Sequence, residues 1–265
     1  MRRFRFLNAR IAWPIAVLGL LALAGPSISA YAADIFDAAV HHPGRSTHDL
    51  ARDAIDHPAD VLRLANLGPN MYVADVLAGD GYYSELVSYL VGPKGHVLLL
   101  NNKAFEEFSE SGWLARLANN RLPNVEQRTV DLEHLGLGNN TLDAVLLIKV
   151  YHDLYWPGPD GPWPKFSPSA VLDQIVAALK PGGVLLLVDH SAKPGTGHTQ
   201  AGVLHRIDEQ FARADFESRG LRAVADSAIL RNPGDIRDQV SYKGAMAGKT
   251  DRFVIVFKKS APRAH

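Results

Sequence analysis

The sequence predicts an α/β fold, a doubly wound and mostly parallel sheet covered by helices on both faces. Three observations carry that prediction. Seven apolar runs recur along the chain, at residues 71–77, 96–100, 125–130, 142–150, 184–188, 221–229 and 252–257. Most are apolar at successive positions, the pattern of strands buried on both faces. Segments with apolar residues at helical spacing stand between them, and neighbouring parallel strands need such crossovers.

The elements follow in order. Ser46 or Thr47 is placed to cap a helix running to Ile55. Pro58 suits the first turn of a second helix ending at Leu64, and Leu67-Gly68-Pro69-Asn70 makes a turn. The first strand, 71–77, runs into the glycine turn Ala78-Gly79-Asp80-Gly81, and residues 82–91 read as helix. Gly92-Pro93-Lys94-Gly95 turns into the second strand. Residues 103–119 read as one helix before the third strand, and the fourth, 142–150, is nearly all apolar. Residues 168–179 are helical, and Lys180-Pro181-Gly182-Gly183 turns into the fifth strand. Residues 201–219 read as one helix, followed by the last two strands.

A leader precedes these elements. Arg2, Arg3, Arg5 and Arg10 open the chain without an acid among them, an apolar run spans 11–24, and Ala30-Tyr31-Ala32 offers a small-residue cleavage site. This is the order of a signal peptide, expected at residues 1–32 and cleaved after Ala32. An uncleaved inner-membrane anchor is the alternative, although a spanning helix needs about 20 apolar residues. The expectation is an exported, periplasmic protein that meets the membrane only through this segment. Residues 33–265 then form one domain, with an N-terminal arm and helices at 33–66 and the core at 67–258.

The whole chain of 265 residues balances 28 basic against 28 acidic side chains. Removing the four leader arginines leaves 24 against 28, a net charge of −4. That argues against a nucleic-acid partner held by phosphate neutralisation. The chain has no Cys, which excludes disulfides, thiolate nucleophiles and Cys-ligated metal.

In doubly wound sheets ligands sit beyond the carboxyl ends of the strands, so the residues just after each strand are the site candidates. Asp75-Val76-Leu77-Ala78-Gly79-Asp80-Gly81 ends the first strand. Glycines there allow close backbone approach, and the following helix presents free N–H groups. The segment resembles motif I of class I S-adenosylmethionine-dependent methyltransferases, roughly acid-x-G-x-G-x-G. Lys180-Pro181-Gly182-Gly183, Asp143 and Asp131-Leu132 resemble further features of that superfamily. The likeness spans most of residues 46–258. Narrower stretches, among them Leu204-His205-Arg206-Ile207-Asp208 and Gly248-Lys249-Thr250-Asp251-Arg252-Phe253, resemble a group of bacterial predicted methyltransferases, many of them exported.

The resemblance implies a Rossmann-like sheet of seven strands with an antiparallel last strand. It implies S-adenosylmethionine as cofactor, held by Asp75, Ala78, Gly79, Asp80, Gly81, Asn101, Asp131 and Leu132. Two positions depart from the pattern. Leu77 stands where motif I has its first glycine. Asn101 stands where the second strand usually ends in an acid for the ribose hydroxyls, and an uncharged amide accepts more weakly.

Methyl transfer needs a base only when the acceptor must lose a proton. His152 and Asp153 follow the fourth strand and His190 follows the fifth, so all three are catalytic candidates. A capped loop end explains them structurally. His205 and Glu209, four apart, would share a helical face and could ligate a metal. A solvated ion-pairing face explains them better, and no third ligand is apparent, so no metal is expected. Trp156, Trp163 and the prolines between 157 and 168 form either an acceptor lid or a structural cover. The expected activity is methyl transfer to a small-molecule or other exported acceptor. A binding protein of the same fold with altered or lost cofactor use is the alternative. A nicotinamide-dependent oxidoreductase fits less well, because the third glycine of G-x-G-x-x-G is absent.

Overall fold

The apolar runs form strands because each buries side chains toward both faces of one sheet. The computed structural model describes residues 35–156, 163 and 165–261. The leader at residues 1–32 and most of the proline-rich excursion lie outside the described residues. The strands are β1 (Tyr72–Val76), β2 (His96–Asn101), β3 (Val125–Thr129), β4 (Leu142–Ile148), β5 (Leu179–His190), β6 (Leu221–Ser227) and β7 (Arg252–Lys259). They lie in the order β3-β2-β1-β4-β5-β7-β6. β1 to β5 pair in parallel, and β7 inserts antiparallel between β5 and β6. The sheet is thus the seven-stranded, mostly parallel one expected, with its last strand reversed.

Alternation divides the core in two. Ala74, Val76, Leu98, Leu100, Val145, Leu147, Leu185 and Leu187 face one layer. Val73, Val97, Ala144, Leu146, Leu186 and Val188 face the other. Each such fully buried Val or Leu contributes about 1.5–3 kcal/mol. The edge strands differ: β3 is only partly buried and β6 alternates, so both keep polar side chains outward.

The helices are α1 (Thr47–Asp56), α2 (Pro58–Leu64), α3 (Tyr82–Val91), α4 (Lys103–Phe108), α5 (Trp113–Leu117), α6 (Tyr151–Leu154), α7 (Pro168–Ala178), α8 (Ala201–Leu204) and α9 (Glu209–Ser218). Ser46 caps α1, its hydroxyl accepting from Asp49 N at 3.0 Å. Ser167 caps α7 ahead of Pro168, and Asp208 caps α9. α2 and α3 pack on one face of the sheet with Phe36 and Ala39, while α7 and α9 cover the other.

Three expected elements differ. The single helix at 103–119 is two, because Glu110 and Ser111 are left-handed at φ +50° and Ser111 N turns back to Glu106 O. Ser and Gly at 109–112 favour such turns over helix. The single helix at 201–219 is also two. His205 is left-handed, and Arg206 leaves the helical path to pair with Asp235 inside the protein. The turn at 180–183 lies within β5, whose register shifts against β4 beside it. A Cβ on Gly183 would stand 2.9 Å from Lys180 O, so only glycine fits there.

Candidate active site

The turn after β1 is shaped by left-handed residues. Leu77, Gly79 and Gly81 have φ of +54°, +62° and +83°. For Leu77 that conformation costs about 1–3 kcal/mol, and its buried side chain anchors in the core. Asn101 clamps the turn: its Oδ1 accepts from Gly79 N and its Nδ2 donates to Gly79 O, each at 2.9 Å. Both polar ends of Asn101 are therefore spent on the turn. Arg116 holds the next residue, donating from Nε to Asp80 O at 2.7 Å and from Nη2 to the Asp80 carboxylate at 3.0 Å. Gly81, the N-cap of α3, has a φ of +83°, which a side chain rarely adopts, and a Cβ there would also press on Leu99 Cδ1 at 2.6 Å.

A cavity of about 410 Å³ opens at this turn. Ala78, Gly79 and Asp80 form its wall with Arg52, Phe105, Ser109 and Lys149. Gly81 and Asn101 sit behind that wall. Asp75 is buried behind it as well, accepting from Ser84 Oγ at 2.7 Å. Asp131 is exposed at the surface and Leu132 lies in the core, so neither is part of the wall.

A second cavity of about 580 Å³ lies alongside and shares Phe105, Phe108 and Lys149. His152, Asp153 and His190 all line it, with Trp156, Trp163, Tyr242 and His205. His152 is the second residue of α6, the short helix that follows β4. Its backbone N donates to Asp189 Oδ2 at 2.8 Å, and its Nδ1 pairs with Asp189 Oδ1 at 2.7 Å. Its Nε2 stands 3.3 Å from Asp153 Oδ1. Burial works against a charge on this ring, but Asp153 and Asp189 outweigh it and hold the proton on. Burial likewise opposes ionisation of Asp153, and the imidazolium overrides it, keeping that carboxyl at about 2. His190 behaves oppositely. Burial, then the charge on His152, push its pKa well below the ordinary value. Its Nδ1 pairs with Thr250 Oγ1 at 2.7 Å, which leaves Nε2 for the cavity.

The junction of the cavities is strongly charged. Asp56, at the end of α1, pairs with Lys149 at 3.0 Å, with Arg52 at 2.7 Å and with Arg252. Burial raises the Asp56 pKa, but Lys149, Arg52 and Arg252 together hold it well below the carboxylate range. Lys149 is brought down to about 8 by burial and by Arg52, against the pull of Asp56. Its backbone is left-handed at φ +61°. Arg52, Asp56 and Lys149 were absent from the sequence-derived site. One signal was legible: Lys149 is, with Asp143, one of two charges within the apolar run at 142–150.

No protein-family model and no curated protein matches the chain. Solved structures do. A methyltransferase dependent on S-adenosylmethionine from Aquifex aeolicus aligns over 78% of this chain and 97% of its own, at 20% identity and a TM-score of 0.54. The chain has the Rossmann-like methyltransferase fold. An arsenic(III) S-adenosylmethionine methyltransferase from Chlamydomonas reinhardtii covers 84% of this chain and 76% of its own, at 20% identity and a TM-score of 0.51. The [4+2]-cyclase SpnF covers 84% and 86%, at 14% identity and a TM-score of 0.55. The methyltransferase fold thus supports more than one chemistry, and the site decides which.

Within this fold the remaining motifs separate. His205 and Glu209 do not share a helical face, since the chain breaks between them, and Glu209 pairs with Arg231 instead. Arg206 is fully buried against Asp235. Gly248, Thr250 and Arg252 do reach the larger cavity.

Proposed function

We propose that the chain transfers a methyl group from S-adenosylmethionine to a small-molecule acceptor. The observation that carries this reading is the pair of adjoining cavities at the carboxyl ends of the central strands. One opens on the glycine turn and the other on His152 and His190. The residues at the smaller cavity fit the donor. A Cβ on Gly79 would meet Phe105 Cε1 at 3.6 Å and Ser109 Cβ at 3.9 Å, so the glycine keeps that space clear. Arg52 offers a cation for the donor's carboxylate.

The bound donor supplies an activated methyl group on sulfur. The chain supplies proximity and alignment, which contribute about 7–11 kcal/mol in such reactions. Phe105 and Phe108, shared by both cavities, set the boundary at which the two reactants meet. Trp156, Trp163 and Tyr242 hold apolar faces of the acceptor and keep water out. Of the two histidines that follow β4 and β5, His190 is the proton acceptor in this reading, because it is neutral with Nε2 free, whereas His152 holds its proton. With Arg52 given to the donor, Lys149 and Arg252 still outnumber Asp56 where the larger cavity meets the junction, so an acceptor bearing an acidic group suits the charge there.

Calorimetry on the purified chain tests the reading. Single-site binding of S-adenosylmethionine or S-adenosylhomocysteine supports it, and no heat with either at millimolar ligand refutes it. Leu77 and the inward-turned Asn101 favour one alternative, a binding protein that keeps the fold with altered or lost donor use. Mass spectrometry of the co-purifying ligand separates the two, because retained S-adenosylhomocysteine excludes loss of the donor site. We place the acceptor outside the cytoplasm on the strength of the leader. Periplasmic protein beginning at Ala33 supports this, and cytoplasmic protein beginning at Met1 refutes it.

A further inference from the structure

The larger cavity contains a constellation that methyl transfer does not use. His152 Nε2 stands 3.3 Å from Asp153 Oδ1, and His205 Nδ1 stands 3.5 Å from the same oxygen. The three ligand atoms all lie within 4.8 Å of one another, and all three side chains line the cavity. We propose that His152, Asp153 and His205 bind one divalent transition-metal ion, with an open coordination position facing the cavity.

The donor set, the spacing and the support each favour this. Two imidazoles and one carboxylate form a nitrogen-and-oxygen set suited to zinc or ferrous iron, and three protein ligands leave a position for water or an acceptor atom. Tetrahedral zinc with bonds of about 2.0–2.1 Å places neighbouring ligand atoms about 3.3–3.4 Å apart. The two spacings on Asp153 lie at or just beyond that value. An orienting carboxylate is already in place: Asp189 occupies His152 Nδ1, which reserves Nε2 for the ion. Outer carboxylates of this kind fix the ring and tautomer of metal-binding histidines. His205 adopts φ +50° where α8 ends, a left-handed conformation that is strained for a non-glycine residue. That backbone brings its ring between Trp156 and Tyr242 and onto Asp153. Residues 153 and 205 are far apart in sequence, so no spacing along the chain indicates this set, which replaces the His205–Glu209 pair and is brought together by the fold.

This inference concerns the cavity assigned above to the acceptor, but it does not rest on methyl transfer. Metal binding is read without donor or acceptor, and donor binding is read without metal, so either can fail alone. The full chain is stripped with a chelator and titrated with Zn²⁺ by calorimetry and with Co²⁺ by visible absorption. One equivalent of each is expected, with the Co²⁺ bands of a low-coordinate nitrogen-and-oxygen site. His205→Ala and Asp153→Asn are each expected to weaken Zn²⁺ at least ~100-fold, since loss of a ligand should exceed the ~10–100-fold cost of changing an outer partner. His48→Ala, at an exposed position on α1, leaves binding unchanged. Circular dichroism and melting establish that each variant is folded, and His205→Gln stands in for any that is not. A hydrogen-bonded His–Asp–His network alone would make the same contacts and bind no metal. Absence of Zn²⁺ and Co²⁺ binding by the folded wild type therefore overturns the proposal, as does full affinity in a folded His205 variant.

Discussion

Leu77 and Asn101 together define the turn on which the donor site depends. Leu77 accepts a left-handed backbone to keep its side chain in the core, and Asn101 spends both ends of its amide on Gly79. An acid at position 101 would lack the donor that now meets Gly79 O, so the amide suits the clamp better than a carboxylate would. Gly79→Val puts a branched side chain at φ +62° and fills the cradle beside Phe105. It is expected to weaken S-adenosylhomocysteine at least ~100-fold while the fold survives with about 1–3 kcal/mol less stability. Calorimetry and thermal melting check both parts, and full affinity in the variant would show the cavity to be misassigned. The two histidines make a second expectation at this scale. In metal-free protein, nuclear magnetic resonance titration of the ring signals should show His190 losing its proton well below about pH 6.5 and His152 well above it. Equal titration of both near the ordinary value would remove the basis for choosing His190 as the proton acceptor.

The broken helices are where local sequence misleads. Residues 201–219 carry an apolar pattern that a continuous helix could satisfy. The chain breaks it because Arg206, fully buried, donates to Asp235, to Ser191 O and to Gln239 O. Those partners come from segments distant in sequence, and no helical period encodes them. The break also delivers His205 to the cavity. Removing one partner of a buried ion pair is strongly destabilising, because the other charge is left stranded. Arg206→Ala is therefore expected to cost about 3–5 kcal/mol in chemical denaturation. A loss under about 1 kcal/mol would mean that Asp235 finds another partner or water. The glycine turn, by contrast, was legible because a strand end, close-spaced glycines and a following helix occupy one short stretch.

For the molecule as a whole, buried carboxyls set the pH dependence. Burial pushes Asp75 up to about 7, against the hydrogen bond from Ser84. Its unfolded value is about 3.9. Between those values the native state keeps a proton that the unfolded chain has lost, so its contribution to stability falls as pH rises through that window. Asp153, held at about 2, acts in the opposite sense. Its contribution is present above its unfolded value and is lost as pH falls toward 2. Asp75→Asn is expected to reduce the stability difference between pH 5 and pH 7, measured by denaturant unfolding at each. An unchanged difference would place the titrating group elsewhere.

By itself the sequence determined the sheet and the strand ends to search. Short apolar runs separated by helical segments read as strands of one covered sheet, and a ligand then lies beyond their carboxyl ends. It also marked His152, Asp153, His190 and the glycine turn, because each directly follows a strand. Tertiary structure alone decided which of those residues face a cavity and what state they are in. Asp56, Lys149 and Arg252 meet across nearly 200 residues of chain, and His205 reaches Asp153 only because Arg206 is drawn into the core. Such contacts depend on burial and on charges brought together by packing, and no periodicity along the chain records them.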